Sequence, residues 1–144
     1  MDQVRVVVAD DNAQLQGMIA EYLRQQSGIE IVGVASNGLE ALRLVQEELP
    51  DVLICDMIMP QMDGYGVLEQ LASMRLAKRP GVIALTALGR DDFITRAINL
   101  GACYYMVKPF DFSILAQRVF ETAGELELAD AISSRLKKDG GSGE

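Results

Sequence analysis

Val4-Arg5-Val6-Val7-Val8-Ala9-Asp10-Asp11-Asn12 is a β-branched apolar run that stops abruptly on two adjacent carboxylates. Such a run favours an extended strand, and its nearly unbroken apolar character marks a strand covered on both faces, as in a parallel sheet. Four further runs share this character: Ile29–Ala35, Val52–Cys55, Val82–Leu85 and Tyr104–Val107. Segments of helical period alternate with them. Met18, Tyr22 and Leu23 recur at i, i+4 and i+5, and Leu39, Leu42 and Val45 at three-residue steps, so each of these helices has an apolar face. The first helix is expected to begin after Asn12 and to turn Leu15, Met18 and Ile19 towards the sheet.

Turn signals fall where the alternation needs them. Asn37-Gly38 leads into the second helix, Leu49-Pro50-Asp51 ends it, Arg79-Pro80-Gly81 precedes the fourth strand, and Gly101 follows the fourth helix. The pattern is (βα)5, an α/β doubly wound parallel sheet of five strands. Its expected order is the flavodoxin-like 2-1-3-4-5, whose ligand crevice lies beyond the carboxyl ends of strands 1 and 3. At 144 residues the chain has room for about one domain. Residues 1–124 carry the alternation. Beyond Gly124 charged residues mix with scattered Leu, Ala and Ile, which predicts a helical extension over 125–144 that ends in a flexible Gly140-Gly141-Ser142-Gly143 linker.

Composition removes several kinds of chemistry. With no histidine anywhere, Ser-His-Asp and Cys-His hydrolysis, histidine-ligated zinc and histidine phosphocarriers are all excluded. The net charge of −8 opposes binding to phosphate backbones or anionic lipid, so neither a nucleic acid nor a membrane is expected as a direct partner. Cys55 and Cys103 lie 48 positions apart in apolar surroundings and read as buried, reduced small hydrophobes. The start, Met1-Asp2-Gln3-Val4-Arg5, lacks the apolar core of a signal peptide, and no stretch approaches the ~18 apolar residues of a membrane span. A cytoplasmic protein is expected.

Three carboxylates converge in the expected crevice: Asp10 and Asp11 after strand 1, and Asp56 after strand 3. Like charges at the rim of a core repel strongly unless a cation joins them. An all-oxygen site of this kind suits Mg²⁺, which is commonly held by one or two carboxylates, water and a substrate phosphate. Ca²⁺ or Mn²⁺ can take the same oxygens. Thr86 directly follows strand 4 and Lys108 directly follows strand 5, which brings a hydroxyl and an ammonium to the same end of the sheet. Together these groups suit a phosphoryl group. A carboxylate can attack phosphorus while cations neutralise the equatorial oxygens.

Asp10-Asp11, Asp56-Met57-Ile58-Met59-Pro60-Gln61-Met62-Asp63-Gly64, Leu85-Thr86-Ala87 and Lys108-Pro109-Phe110-Asp111 together resemble the signature of bacterial response-regulator receiver domains over about residues 4–124. Within that family, Val8-Ala9-Asp10-Asp11-Asn12, Gly33-Val34-Ala35-Ser36-Asn37-Gly38 and Leu85-Thr86-Ala87-Leu88-Gly89 are most similar to the receivers of sporulation-controlling transcription factors. The resemblance implies that Asp56 is the phosphoacceptor, with Asp11 a direct Mg²⁺ ligand, Asp10 a ligand through water and the Ile58 backbone carbonyl a further ligand. It also implies that Thr86 and Lys108 bind phosphoryl oxygens, that Lys108-Pro109 is cis, and that Tyr105 is the switch aromatic partnered with Thr86. A histidine kinase or histidine phosphotransferase would be the phosphodonor. A phosphorylation-dependent homodimer and a separate DNA-binding output would follow. Such a protein catalyses its own phosphorylation and is not a turnover enzyme.

Two other functions share parts of this pattern. An aspartyl-phosphate phosphatase of the haloacid dehalogenase type also uses Asp and Mg²⁺, but places a DxD after strand 1, where this chain has an adjacent pair and no cap-sized insertion. A flavodoxin-like FMN carrier would need a Ser/Thr/Gly-rich loop there, and Asp10-Asp11 would repel the flavin phosphate. Met57, Met59 and Met62 around the acceptor read as packing residues. Gly64 is expected to permit a turn that opens the third helix.

Overall fold

A computed structural model describes residues 3–142, apart from the side chains of residues 130, 133 and 136–142. The elements run β1 (Val4–Ala9), α1 (Ala13–Arg24), β2 (Ile29–Ala35), α2 (Gly38–Glu48), β3 (Val52–Asp56), α3 (Gly64–Ser73), β4 (Gly81–Thr86), α4 (Asp91–Asn99), β5 (Tyr104–Val107) and α5 (Phe112–Ser142). The strands form one parallel sheet in the order β2-β1-β3-β4-β5, as the alternation predicts. β3 and β4 each reach one residue further than expected. Asp56 and Thr86 are therefore the last residues of their strands.

The strict alternation of side chains splits the sheet's apolar residues between two layers. Val7, Ala9, Leu53, Cys55, Val82 and Ala84 face α2, α3 and α4, where they meet Ala41, Val45, Tyr65, Leu68 and Ala97. Val6, Val8, Val52, Ile54, Ile83 and Leu85 face α1 and α5, against Ile19, Leu23, Leu115 and Val119. Each fully buried Val, Leu or Ile contributes roughly 1.5–3 kcal/mol relative to exposure. Removal of the central strands from water thus anchors the carboxyl ends at which the acidic residues stand.

Local sequence explains the boundaries. Asn12, Asn37 and Asp63 cap α1, α2 and α3, each side chain accepting a hydrogen bond from a backbone N–H in the first helical turn. α2 ends on Leu49 in the left-handed region at φ 47°, directly before Pro50, which cannot continue the helix. Gly101, at φ +113°, supplies the turn out of α4.

Several expectations are corrected. Met18 is 51% exposed, because the helical period places Ile19 and Leu23 against the sheet and rotates Met18 outward. Leu39 is exposed for the same kind of reason, with Ala41 and Val45 forming the buried line of α2. Cys55 is buried but Cys103 is exposed, since it precedes the edge strand β5 and only its backbone joins the sheet, with its N–H donating to the Val82 carbonyl. The backbone of α5 continues as helix through Gly124 and through Gly140 and Gly141 to Ser142, where a flexible linker was expected; Gly143 lies outside the described residues. Among the described residues no helix is long and apolar enough to cross a membrane.

Candidate functional site

The carboxyl ends of four strands, β1, β3, β4 and β5, supply the site. Asp10 leaves β1 with its backbone N–H on the Ala35 carbonyl, which holds the residue in line with β2. Its side chain is fully buried and its Oδ1 accepts the Asn12 N–H at 2.9 Å. Asp56, 4% exposed, ends β3, and its Oδ1 accepts the Ile58 N–H at 3.1 Å. Asp11, the second residue beyond the strand, is exposed. Carboxylate oxygens of Asp10, Asp11 and Asp56 all lie within 4.8 Å of one another.

Among the described residues one cation serves this cluster. Lys108, just past β5, places Nζ 2.8 Å from Asp10 Oδ2 and 2.9 Å from Asp56 Oδ2. Its backbone N–H donates to the Thr86 carbonyl, and the Lys108-Pro109 peptide is cis, as expected. Burial pushes the Asp56 carboxyl above the usual carboxylate range; the Lys108 hydrogen bond, the Ile58 N–H and the Lys108 charge oppose that rise, and the Asp10 charge adds to it. Burial works against the Lys108 ammonium, but its hydrogen bonds to Asp10 and Asp56 outweigh that and hold its pKa above the ordinary lysine value.

The residues expected to act as a switch sit beside this group. Thr86 is fully buried and its Oγ1 accepts the Leu88 N–H at 3.1 Å. Tyr105 pairs with Ala84 across β4 and β5, packs half-buried against the core, and donates its hydroxyl to the Leu88 carbonyl at 2.5 Å. Both side chains therefore hold the same peptide segment of the loop after β4.

Some contributors are not visible from sequence. Gln16 donates its side-chain amide to the carbonyls of Asp10, at 3.1 Å, and Ala35, at 2.6 Å, tying α1 to the end of β1. A glutamine inside a helix carries no local signal for this. Gly38 donates its N–H to the Met62 carbonyl, and a Cβ at Gly38 would lie 2.3 Å from that oxygen, so α2 abuts the loop after Asp56. Gly64 differs from its expected role. It has no left-handed backbone; instead a Cβ there would lie 2.6 Å from the Asp56 carbonyl oxygen and 2.7 Å from Met57 Cα. Close approach of α3 to the acceptor strand explains the glycine.

The family model of the response regulator receiver domain matches residues 6–120, most of the chain and all of the residues just described. The protein belongs to the response regulator receiver domain family. Solved receiver structures share its architecture. The signal receiver domain of the response regulator NarL from Mycobacterium tuberculosis is 29% identical, with 86% of this chain and 98% of that chain covered at a TM-score of 0.82. A response regulator from Chloroflexus aurantiacus is 30% identical over 85% of this chain and 99% of that one, at a TM-score of 0.77. The CheX-CheY-BeF₃-Mg²⁺ complex from Borrelia burgdorferi includes a chain 26% identical over 83% of this chain and 89% of that one, at a TM-score of 0.76. Receiver domains are signalling modules of two-component systems, so a histidine kinase or phosphotransfer protein is the class of partner that this membership implies.

Proposed function

We propose that this receiver domain accepts a phosphoryl group on Asp56 from a phosphohistidine and switches the surface around α4, β5 and α5 to control an output. The observation that carries the reading is the single Lys108 ammonium shared by Asp10 and Asp56, with Asp11 beside them. A carboxylate oxygen of Asp56 attacks phosphorus, the P–O bond forms as the P–N bond to imidazole breaks, and the leaving nitrogen takes up a proton from water. Lys108 would neutralise an equatorial oxygen, and Thr86, once its hydroxyl turns from the Leu88 N–H, would donate to another. The Ile58 N–H fixes the Asp56 carboxylate in orientation during attack.

The donor set fits a hard divalent cation: three carboxylates within 4.8 Å carry more negative charge than Lys108 offsets, and every donor is oxygen. Asp11 and Asp56 would hold Mg²⁺ directly, Asp10 through water, and the exposed Ile58 would offer its carbonyl, with Ca²⁺ or Mn²⁺ able to use the same oxygens. Bound there, the ion supplies charge neutralisation for the phosphoryl oxygens. The Mg²⁺ in the related Borrelia burgdorferi complex supports this choice.

Residues 1–124 form the phosphoacceptor unit in this reading, and the helix beyond Gly124 leads towards an output. A cytoplasmic location, a phosphorylation-dependent homodimer and a sporulation-type transcriptional output belong to the same proposal; the last rests on the wording of Val8–Asn12, Gly33–Gly38 and Leu85–Gly89. The adjacent Asp10-Asp11 pair at the end of β1 counts against both the DxD phosphatase and the flavin carrier. Intact-mass measurement after incubation with acetyl phosphate and Mg²⁺ tests the central claim. An increase of about 80 Da, absent in Asp56→Asn, is expected for one added phosphoryl group; a stable adduct in that variant would overturn the assignment.

A further inference from the structure

α5 runs from Phe112 to Ser142, whereas its buried line, Leu115, Ala116, Val119, Thr122 and Ala123, ends near Gly124. Leu126 still reaches the body, its side chain lying near Gly81. From there on, a second line faces the other way. Glu125, Leu128, Ile132 and Arg135 are all exposed, and their 3-4-3 spacing puts them on one stripe of the helix. At 100° per residue Leu128, Ile132 and Arg135 point away from Leu126, on the side remote from the sheet, while Glu125 stands at the flank of the stripe, where one carboxylate oxygen accepts the Tyr104 hydroxyl at 2.7 Å and the other is left for a partner. Leu128 and Ile132 are 62% and 51% exposed and stand one turn apart, so they form a small aliphatic strip that a partner could cover.

The order of the stripe decides what can cover it. It is acidic at one end, basic at the other and aliphatic between. Laid antiparallel on a copy of itself about a two-fold axis beside residue 130, it sets Leu128 against Ile132 of the other copy and Glu125 against Arg135, each contact occurring twice. A parallel pairing would oppose Glu125 to Glu125 and Arg135 to Arg135, which like-charge repulsion disfavours. The same polarity recurs outside the stripe, with Glu127 and Asp130 in the first half of the extension and Lys137 and Lys138, against one Asp139, in the second. Because the stripe faces away from the sheet, the two bodies fall on opposite outer sides of such a pair.

We propose that the helical extension of α5 is an interface for a second copy of this chain, paired antiparallel through Glu125, Leu128, Ile132 and Arg135. The interface lies outside the Asp56 site and forms without phosphorylation, which separates it from any dimer that phosphorylation induces. It also positions two output segments on opposite sides of one helix pair.

Sedimentation equilibrium of the 144-residue chain, in chelator and without a phosphodonor, tests it. A reversible dimer is expected. Glu125→Arg or Arg135→Glu alone turns both ion pairs repulsive and weakens association about tenfold, as two exposed pairs of this kind allow. The double variant Glu125→Arg/Arg135→Glu restores antiparallel pairing to the wild-type strength. Leu128→Ser/Ile132→Ser leaves a monomer, and does so without touching the Tyr104 hydroxyl, which donates to Glu125 and Glu121. Circular dichroism should show each variant folded. A wild-type chain that stays monomeric up to about 1 mM, the weakest affinity worth calling association, overturns the proposal. So does a dimer that ignores these substitutions, or one that the double charge swap fails to restore.

Discussion

Asp10 and Asp56 share one ammonium: Lys108 Nζ stands 2.8 Å from an oxygen of the first and 2.9 Å from an oxygen of the second. Asp11 adds a third carboxylate within 4.8 Å. In the absence of a divalent cation the folded state therefore carries a repulsion that unfolding relieves.

Asp56→Asn should stabilise the metal-free protein at neutral pH. The amide removes a buried charge and keeps one acceptor oxygen for the Ile58 N–H, while its NH2 replaces the oxygen that accepts from Lys108, whose ammonium Asp10 still holds. Because burial raises the Asp56 pKa in the folded state, the native form binds a proton more readily than the unfolded chain. Wild-type stability from this group is then lost as pH rises from the unfolded pKa towards the folded one. The expected gain for Asp56→Asn is about 1 kcal/mol, or about 4 °C in Tm, at pH 7.5 in chelator. It should shrink below about pH 4, where the unfolded carboxyl is itself protonated. Thermal melts of both proteins at the two pH values check this; a variant less stable than wild type at pH 7.5 contradicts the repulsion.

Asp11→Ala should weaken Mg²⁺ binding by at least about tenfold, since it removes one of the few carboxylates that such a site uses. The residue is exposed, so Tm in chelator should change little. Calorimetric titration that finds the affinity unchanged would remove Asp11 from the ligand set.

How much of this was legible in the sequence depends on the kind of contact. The five strands, their order and the convergence of Asp10, Asp11, Asp56, Thr86 and Lys108 follow from periodicity and from residues at strand ends, because parallel topology maps chain position directly onto one edge of the sheet. Helix rotation was less legible. Met18 and Ile19 are equally apolar neighbours, and only packing decides that Ile19 is buried. Long-range contacts through polar side chains or backbone left no trace at all. Gln16 reaches two carbonyls across the end of the sheet, and Gly38 and Gly64 are glycines because other backbone passes within van der Waals distance. The exposure of Cys103 is likewise invisible in its apolar surroundings, because a stretch before an edge strand need not be covered.

The two thiols should differ sharply in reactivity. Burial, followed by the charges of Asp56, Asp10 and Asp63, pushes the Cys55 thiol far above its ordinary pKa, and its side chain has no solvent contact. Cys103 is exposed. Titration with a thiol reagent at pH 8 should find one fast group in the native chain and two after unfolding, and Cys103→Ser should abolish the fast one. Rapid labelling of Cys55 in the folded protein would mean that the sheet opens locally.

Gly64→Ala should damage fold and chemistry together. The added methyl would lie 2.6 Å from the Asp56 carbonyl oxygen and 2.3 Å from the Met57 methyl, and the backbone contact cannot move aside as a flexible side chain could. A loss of about 1–3 kcal/mol is expected from overpacking, with slower phosphorylation as β3 shifts. Gly66→Ala, two residues along the same helix, would meet only side-chain atoms at 2.9 Å or more and serves as the control. Equal Tm values for the two variants would show that α3 accommodates the methyl freely.

The last prediction concerns how phosphorylation becomes a signal. Leu88 is held from both sides, its N–H by Thr86 Oγ1 at 3.1 Å and its carbonyl by the Tyr105 hydroxyl at 2.5 Å. A phosphoryl group on Asp56 offers new acceptor oxygens, and the expected response is that Thr86 turns its hydroxyl from its place beside the Leu88 N–H to donate to one of them. The loop after β4 then loses one of its two anchors, and Tyr105, attached to the other, is free to move with it or to pack further into the core it already touches. The phosphoryl group can drive this change only by as much as it favours one loop position over the other. Thr86→Ala removes the link without removing the acceptor or Lys108. It should therefore be phosphorylated on Asp56 by acetyl phosphate to nearly the wild-type extent, while the phosphorylation-dependent change in sedimentation is lost. Tyr105→Phe, which keeps the ring but releases the Leu88 carbonyl, should instead shift the unphosphorylated protein part of the way towards the phosphorylated behaviour. If phosphorylated Thr86→Ala sediments like phosphorylated wild type, Leu88 is not the point at which the two residues are coupled.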